Sequence, residues 1–231
     1  MSETLTISTP DGKFSAYVAR PSAASAPAVV VIQEIFGINH VMRGVADELA
    51  GQGYLAVCPD LFWRIEPGVQ LDDRKEADMG KAFDLYKAFS VNKGVTDIGA
   101  TIAAARGLTG FAGKVGVVGF CLGGLLTYLS AARTDADAFS SYYGGGIDQH
   151  LGEAGRITKP LLMHLAGDDE YIPKAAQDKI TAALKNRPNI EIHVYPGRGH
   201  AFARKGGGHY NAADAATADG RTQAFFQRHL K

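Results

Sequence analysis

Two cysteines are all that 231 residues contain. Cys58 and Cys121 cannot build a disulfide framework, and neither belongs to a metal-binding spacing, so no metal or other cofactor is expected. Charge of one sign is missing too: 24 Lys plus Arg balance 24 Asp plus Glu. Without a basic or acidic excess there is no broad electrostatic footprint for nucleic acid or an acidic membrane surface. No apolar run is long enough to span a bilayer. The start, Met1-Ser2-Glu3-Thr4, has no basic segment leading into an apolar stretch, so no signal peptide is read. Repeats, low-complexity segments and long linkers are absent as well. These absences predict a cytoplasmic setting, where a thiol stays reduced, and no nucleic-acid or membrane partner.

What remains is a chain with 46% hydrophobic and 21% charged residues, ordinary for a globular protein. Its length suits one α/β domain spanning 1–231 with a full core. Thr4–Ser8 and Phe14–Ala19 alternate around Pro10-Asp11-Gly12, which predicts an antiparallel hairpin. Ala28–Gln33 and Tyr54–Cys58 are apolar runs of the kind buried on both faces of a sheet. Val115–Gly119, Ala138–Tyr143, Pro160–Ala166 and Ile190–Tyr195 are further strands. Helical spacing marks Val41–Gly51, Asp72–Phe89, Val95–Gly107, Leu122–Arg133, Pro173–Lys185 and Ala212–Leu230, the last with Phe225 and Phe226 on its inner face. Strands alternating with helices predict a mostly parallel sheet covered on both faces. In such sheets the chemistry gathers at the carboxyl ends of the strands.

One of those ends reads Gly119-Phe120-Cys121-Leu122-Gly123, between a β-branched run and an apolar stretch able to form a helix. Gly-x-Cys-x-Gly is the cysteine form of the nucleophile elbow, a sharp strand-to-helix turn that lifts its central residue above the sheet. Unpaired N–H groups at the helix start favour a thiolate and a developing oxyanion. Small residues also surround inert core thiols; the strand-turn-helix context favours a nucleophile.

A thiol needs a base, and the base needs a partner that fixes its tautomer. Seven histidines are available. His164 and His193 lie inside strands, and His40, His150 and His229 at element ends. His200, between Gly199 and Ala201 just past a strand, is the candidate base; His209, after Gly206-Gly207-Gly208, is its rival. The acid comes from Asp168-Asp169-Glu170, after Ala166. Asp169 is favoured, with Asp168 supporting the turn and Glu170 facing water. The order nucleophile, acid, histidine is that of α/β hydrolases. Glu34 ends the strand Ala28–Gln33, where a carboxylate is costly unless paired. It is either a salt-bridged structural residue or a group that points at the thiol. The N–H groups of Ile35 and Leu122 are candidate oxyanion donors.

Together these segments resemble the dienelactone hydrolase, or carboxymethylenebutenolidase, family. The resemblance rests on Gln33-Glu34-Ile35-Phe36-Gly37, Gly119-Phe120-Cys121-Leu122-Gly123-Gly124, Tyr142-Tyr143-Gly144, Asp169 with Ile172-Pro173, and Gly199-His200-Ala201-Phe202-Ala203-Arg204. It runs from about Thr4 to the C-terminus. It implies an α/β-hydrolase fold with an eight-stranded sheet and the opening of a cyclic enol-lactone, as in the breakdown of chlorinated aromatics. It further implies Cys121 as nucleophile, His200 as base, Asp169 as its acid and Glu34 as the group that holds or activates the thiol. Arg204 would hold a substrate carboxylate, with Phe36, Tyr142, Tyr143, Phe83 and Tyr86 lining the substrate. Met79 stands where the family carries a second carboxylate-binding arginine; Arg74 or Lys75 could reach the same anion from one turn earlier. The expected partner is a small lactone or ester, and the expected state a monomer or weak homo-oligomer. A broad carboxylesterase or thioesterase is the alternative enzyme. A ligand-binding or redox-sensing protein on the same fold is the alternative outside enzymes, and it would need the thiol but neither histidine nor acid.

Overall fold

The structure, a computed structural model, describes residues 2–231. Eight strands form one sheet: β1 (Ser2–Thr9), β2 (Gly12–Ala19), β3 (Ala26–Ile32), β4 (Leu55–Pro59), β5 (Phe111–Phe120), β6 (Ala138–Tyr142), β7 (Leu161–Ala166) and β8 (Ile190–Tyr195). Their order across the sheet is β1-β2-β4-β3-β5-β6-β7-β8. The β1–β2 hairpin pairs antiparallel, and β2 joins β4 antiparallel. β3–β4, β6–β7 and β7–β8 run parallel. The helices are α1 (His40–Gly51), α2 (Glu76–Ala88), α3 (Val91–Arg106), α4 (Leu122–Arg133), α5 (Lys174–Leu184) and α6 (Ala212–Leu230).

Two compact units divide the chain, one ending at Val117 and one beginning at Val118. In the first, Val29, Val30, Val31 and Ile32 of β3 are fully buried, as the β-branched run requires. Asn39 starts α1 by accepting from the N–H groups of Val41 and Met42 at 3.1 and 3.2 Å. Two helices start elsewhere than their spacing suggests. The segment expected to be helical from Asp72 opens with a turn, in which Asp72 accepts the N–H of Arg74 at 3.1 Å, and α2 begins only at Glu76. The helix expected from Val95 begins four residues earlier, at Val91, where Ser90 is its N-cap. Asp97, buried in α3, pairs with Arg64 and accepts from the Trp63 indole at 3.0 Å.

In the second unit α4 is buried along nearly its whole length, so its sequence is apolar all round. α6 presents Phe225 and Phe226 to the core, both essentially unexposed. Among the described residues, no helix is long and apolar enough to cross a membrane.

Candidate active site

Strand β5 stops at Phe120 and α4 starts at Leu122, so the reversal falls on one residue. Cys121 takes φ 56° and ψ −115°, a conformation that L-residues avoid. Its neighbours enforce it. The Cys121 N–H donates to the Tyr142 carbonyl at 3.1 Å, and its carbonyl accepts from Gly124 N–H at 2.9 Å. A Cβ on Gly119 would stand 2.1 Å from the Gly123 carbonyl oxygen, and one on Gly124 2.3 Å from that of Tyr142. The motif's glycines are therefore close-approach positions. Cys121 is half-buried, and Leu122 N–H belongs to the first helical turn, which has no intrahelical acceptor. Cys58, by contrast, is fully buried, and burial drives its thiol far above the usual range.

The loops after β7 and β8 bring Asp169 and His200 together. His200 Nδ1 lies 3.0 and 2.9 Å from the two Asp169 carboxylate oxygens. That fixes the proton on Nδ1 and leaves Nε2 free to accept one. Nε2 is buried. Burial opposes charging of the ring, but the neighbouring Cys121 sulfur and then Asp169 outweigh it and raise the His200 pKa to about 10. Cys121, His200 and Asp169, singled out from sequence, thus fall in one unit and act on one another.

Asp168 and Asp169 divide their roles differently from expectation. Asp168 is exposed and does not build the turn with its side chain. Asp169 builds it: Oδ1 accepts from Tyr171 N–H at 2.9 Å and Ile172 N–H at 3.2 Å while also facing His200. Glu170, expected to face water, is largely exposed yet accepts the His200 N–H at 3.1 Å. His209 is not a second base beside the thiol; its Nδ1 bonds the His200 carbonyl at 2.9 Å.

The two tyrosines after β6 part company. Tyr143 packs edge-on against the His200 ring, centroids 5.2 Å apart. Tyr142 turns away, its hydroxyl buried against Thr222 at 2.7 Å and Asp219 at 3.1 Å, so it is no substrate-lining residue. Tyr171, not among the candidates expected from sequence, also packs edge-on against His200 at 4.9 Å and is 54% exposed. Burial first, then the charges of Glu170, Cys121 and Asp169, raise its phenol pKa against a lowering by Arg204, so Cys121 and Arg204 both lie within its electrostatic reach. Its only sequence signal was an aromatic beside the acid.

The remaining candidates lie in the first unit. Glu34 and Ile35 follow β3 in a buried turn. Gln33 Oε1 accepts Leu61 N–H at 3.0 Å, and Phe36 carbonyl accepts Leu71 N–H at 2.9 Å. Gly37, at φ 73°, has the Val69 carbonyl oxygen 2.0 Å from where a Cβ would be. Gln33, Phe36 and Gly37 of Gln-Glu-Ile-Phe-Gly are thereby held in place. On α2, Met79 and Phe83 are half-buried one turn apart and Tyr86 is exposed. Arg74 is engaged with Asp72 through Nε and Nη2, both at 2.9 Å, which weakens its claim as the substitute cation. Among the described residues no cluster of three or more His, Cys, Asp or Glu could hold a metal ion.

A mostly parallel eight-stranded sheet, helices flanking it, and a strained residue between β5 and α4 define an α/β hydrolase. The profile of the dienelactone hydrolase family matches residues 14–230, and the chain belongs to that family. A protein of Azospirillum brasilense, provisionally named a carboxymethylenebutenolidase, is 50% identical over 95% of each chain. The carboxymethylenebutenolidase of Pseudomonas putida is 40% identical over 97% of this chain and 96% of its own. A crystal structure from Klebsiella pneumoniae, provisionally described as a dienelactone hydrolase, superposes with a TM-score of 0.86 at 28% identity, over 99% and 98% of the two chains. The protein is thus a hydrolase of this family.

Proposed function

We propose that the protein opens a lactone, or cleaves a small ester, through a thioester on Cys121. Cys121 Sγ attacks the carbonyl carbon, its proton already taken up by His200 Nε2, whose raised pKa favours holding it. The tetrahedral oxyanion is held by Leu122 N–H and, by the family motif, Ile35 N–H. Collapse breaks the ring C–O bond, and His200 returns the proton to the leaving oxygen. Water then attacks the thioester, His200 takes its proton, and Cys121 leaves as the thiol when that proton is handed back. Asp169 keeps the imidazole in the required tautomer throughout. Glu34 enters through the family motif as the carboxylate that holds or activates the thiol. Arg204 enters the same way as the residue that binds a substrate carboxylate.

The observation that carries this reading is His200: Nδ1 is committed to Asp169 at 2.9 Å, while Nε2 is buried and the Cys121 side chain acts on the ring through its charge and a hydrogen bond. The names of the relatives point to dienelactone as substrate. Met79, in place of an arginine, favours neutral lactones and small esters as a second substrate class. Acid-quench mass spectrometry on p-nitrophenyl acetate turnover tests the reading. An acetyl adduct on Cys121 and a burst of p-nitrophenol are expected. Cys121→Ala should abolish both while unfolding within about 2 kcal/mol of the native protein, since the group removed is small. Retained turnover in Cys121→Ala would sink the assignment, and burst-free binding without turnover would favour a ligand-binding or sensing protein.

A further inference from the structure

The loop after β8 closes on itself. Arg204 N–H returns to Ala201 carbonyl at 2.9 Å, Tyr210 N–H to Gly207 carbonyl at 3.1 Å, and Asn211 N–H to Phe202 carbonyl at 2.9 Å. This closure carries His209 back to His200. His209 Nδ1 lies 2.9 Å from the His200 carbonyl oxygen; a carbonyl accepts only, so Nδ1 is the donor. On the other side, His200 N–H donates to Glu170 Oε2 at 3.1 Å, and Glu170 Oε1 stands 3.6 Å from His209 Nδ1. Gly199 leaves the room this needs, since a Cβ there would sit 3.0 Å from His209 Nδ1. Both backbone polar groups of the base are therefore gripped by side chains, next to Ala201 at φ 62°.

We propose that Glu170 and His209 are positioning residues that clamp the His200 backbone and set the direction in which Nε2 faces Cys121. The proposal rests on the Cys121–His200–Asp169 reading above. Asp169 fixes one point of the imidazole, about which the ring can still swing. A second constraint at the peptide groups on either side of Cα removes that freedom. Reaction rates are sensitive to such placement, a shift of about 1 Å costing roughly a hundredfold. Burial opposes ionisation of Glu170, but its own N–H, the His200 N–H and the two histidines hold its carboxyl below the usual range, so the acceptor stays charged. The side chains of His209 and Glu170 are 53% and 45% exposed, so their removal leaves the fold nearly intact, and a change in turnover reports geometry.

The test uses p-nitrophenyl acetate and five variants: His209→Phe, His209→Asn, Glu170→Ala, Glu170→Gln and the reference His200→Ala. His209→Phe and Glu170→Ala should lower kcat by roughly tenfold to a hundredfold with KM changed by less than about twofold. His209→Asn sets an amide N–H where Nδ1 stood, and Glu170→Gln keeps an acceptor; both should recover most of kcat. Wild-type kcat in His209→Phe and Glu170→Ala, with His200→Ala inactive, overturns the clamp and leaves the triad standing. Equal losses in the conservative and disruptive variants also overturn it. An active His200→Ala enzyme fails the triad reading itself, whatever the clamp variants do.

Discussion

Cys121 and His200 show how single residues carry both strain and charge. At φ 56° a side chain at 121 resists its own backbone by about 1–2 kcal/mol, and the contacts of Gly119, Gly124 and Tyr142 hold it there. The His200 pKa, ordinarily near 6.5, rises to about 10 because the cysteine sulfur and Asp169 outweigh burial. A histidine whose pKa rises on folding contributes its full stability below the unfolded value. That contribution disappears as pH climbs through the folded value. The stability difference between the native protein and His200→Asn should therefore be largest below pH 6.5 and shrink as pH approaches 10. Urea denaturation at a series of pH values checks this, and a constant difference would mean that His200 is not paired with an anion. Residue types made this pair legible: a cysteine between glycines and a histidine just past a strand. Asp169 was named for a mistaken reason, because three adjacent carboxylates differ in role only through where each N–H and oxygen points.

Among the elements, β6, β7, β8 and α6 are tied by a buried polar chain that no sequence pattern announced. Arg221 Nη1 donates to the Tyr195 hydroxyl at 3.0 Å, and that hydroxyl lies 2.9 Å from His164 Nδ1. His164 Nε2 meets Thr222 Oγ1 at 3.0 Å, which also meets Tyr142 Oη at 2.7 Å and Ser140 Oγ at 2.9 Å. Burial, followed by His193 and Arg221, drives His164 well below its usual pKa, so it is neutral and bridges as donor and acceptor. Tyr142 belongs to this chain through its hydroxyl while its carbonyl receives Cys121 N–H at 3.1 Å, so the chain also backs the elbow. Thr222→Val keeps the shape but strands these groups, and should cost about 2 kcal/mol or more, with Thr222→Ser close to the native protein. Equal denaturation midpoints for the two variants would show that the hydroxyl hub carries no weight. The strands themselves were readable because β-branched runs and turn residues bound them. Two helix starts were not, since the Asp72 turn and the Ser90 cap decided them against the apolar spacing. The neighbours Tyr142 and Tyr143 look alike in sequence, but the chain leaves β6 at Tyr142 and turns at Tyr143, φ 38°, and only Tyr143 meets His200.

For the molecule as a whole, zero net charge leaves substrate recognition to local groups rather than to a global field. Fold and family were legible over nearly the full length because the motifs recur in a fixed order along alternating strands and helices. Substrate choice was not, because it turns on a few side chains with no motif of their own. Met79 is the residue proposed above to bear on that choice. A carboxylate that leaves water needs charge-assisted hydrogen bonds in exchange, and in the proposed reading Arg204 supplies some of them. Arg74 is already committed to Asp72, and Met79 offers no donor. Met79→Arg should therefore raise kcat/KM for an anionic dienelactone relative to a neutral lactone by about tenfold, the worth of one charge-assisted hydrogen bond. Met79 is half-buried on α2, where an arginine can lay its stem along the helix and keep its head group hydrated, so the fold should tolerate the change. Competition between the two lactones in one reaction measures the ratio directly. An unchanged ratio would mean that Lys75 or another cation already binds the substrate carboxylate. A fall in turnover of both lactones alike would mean that position 79 shapes the site without reading charge.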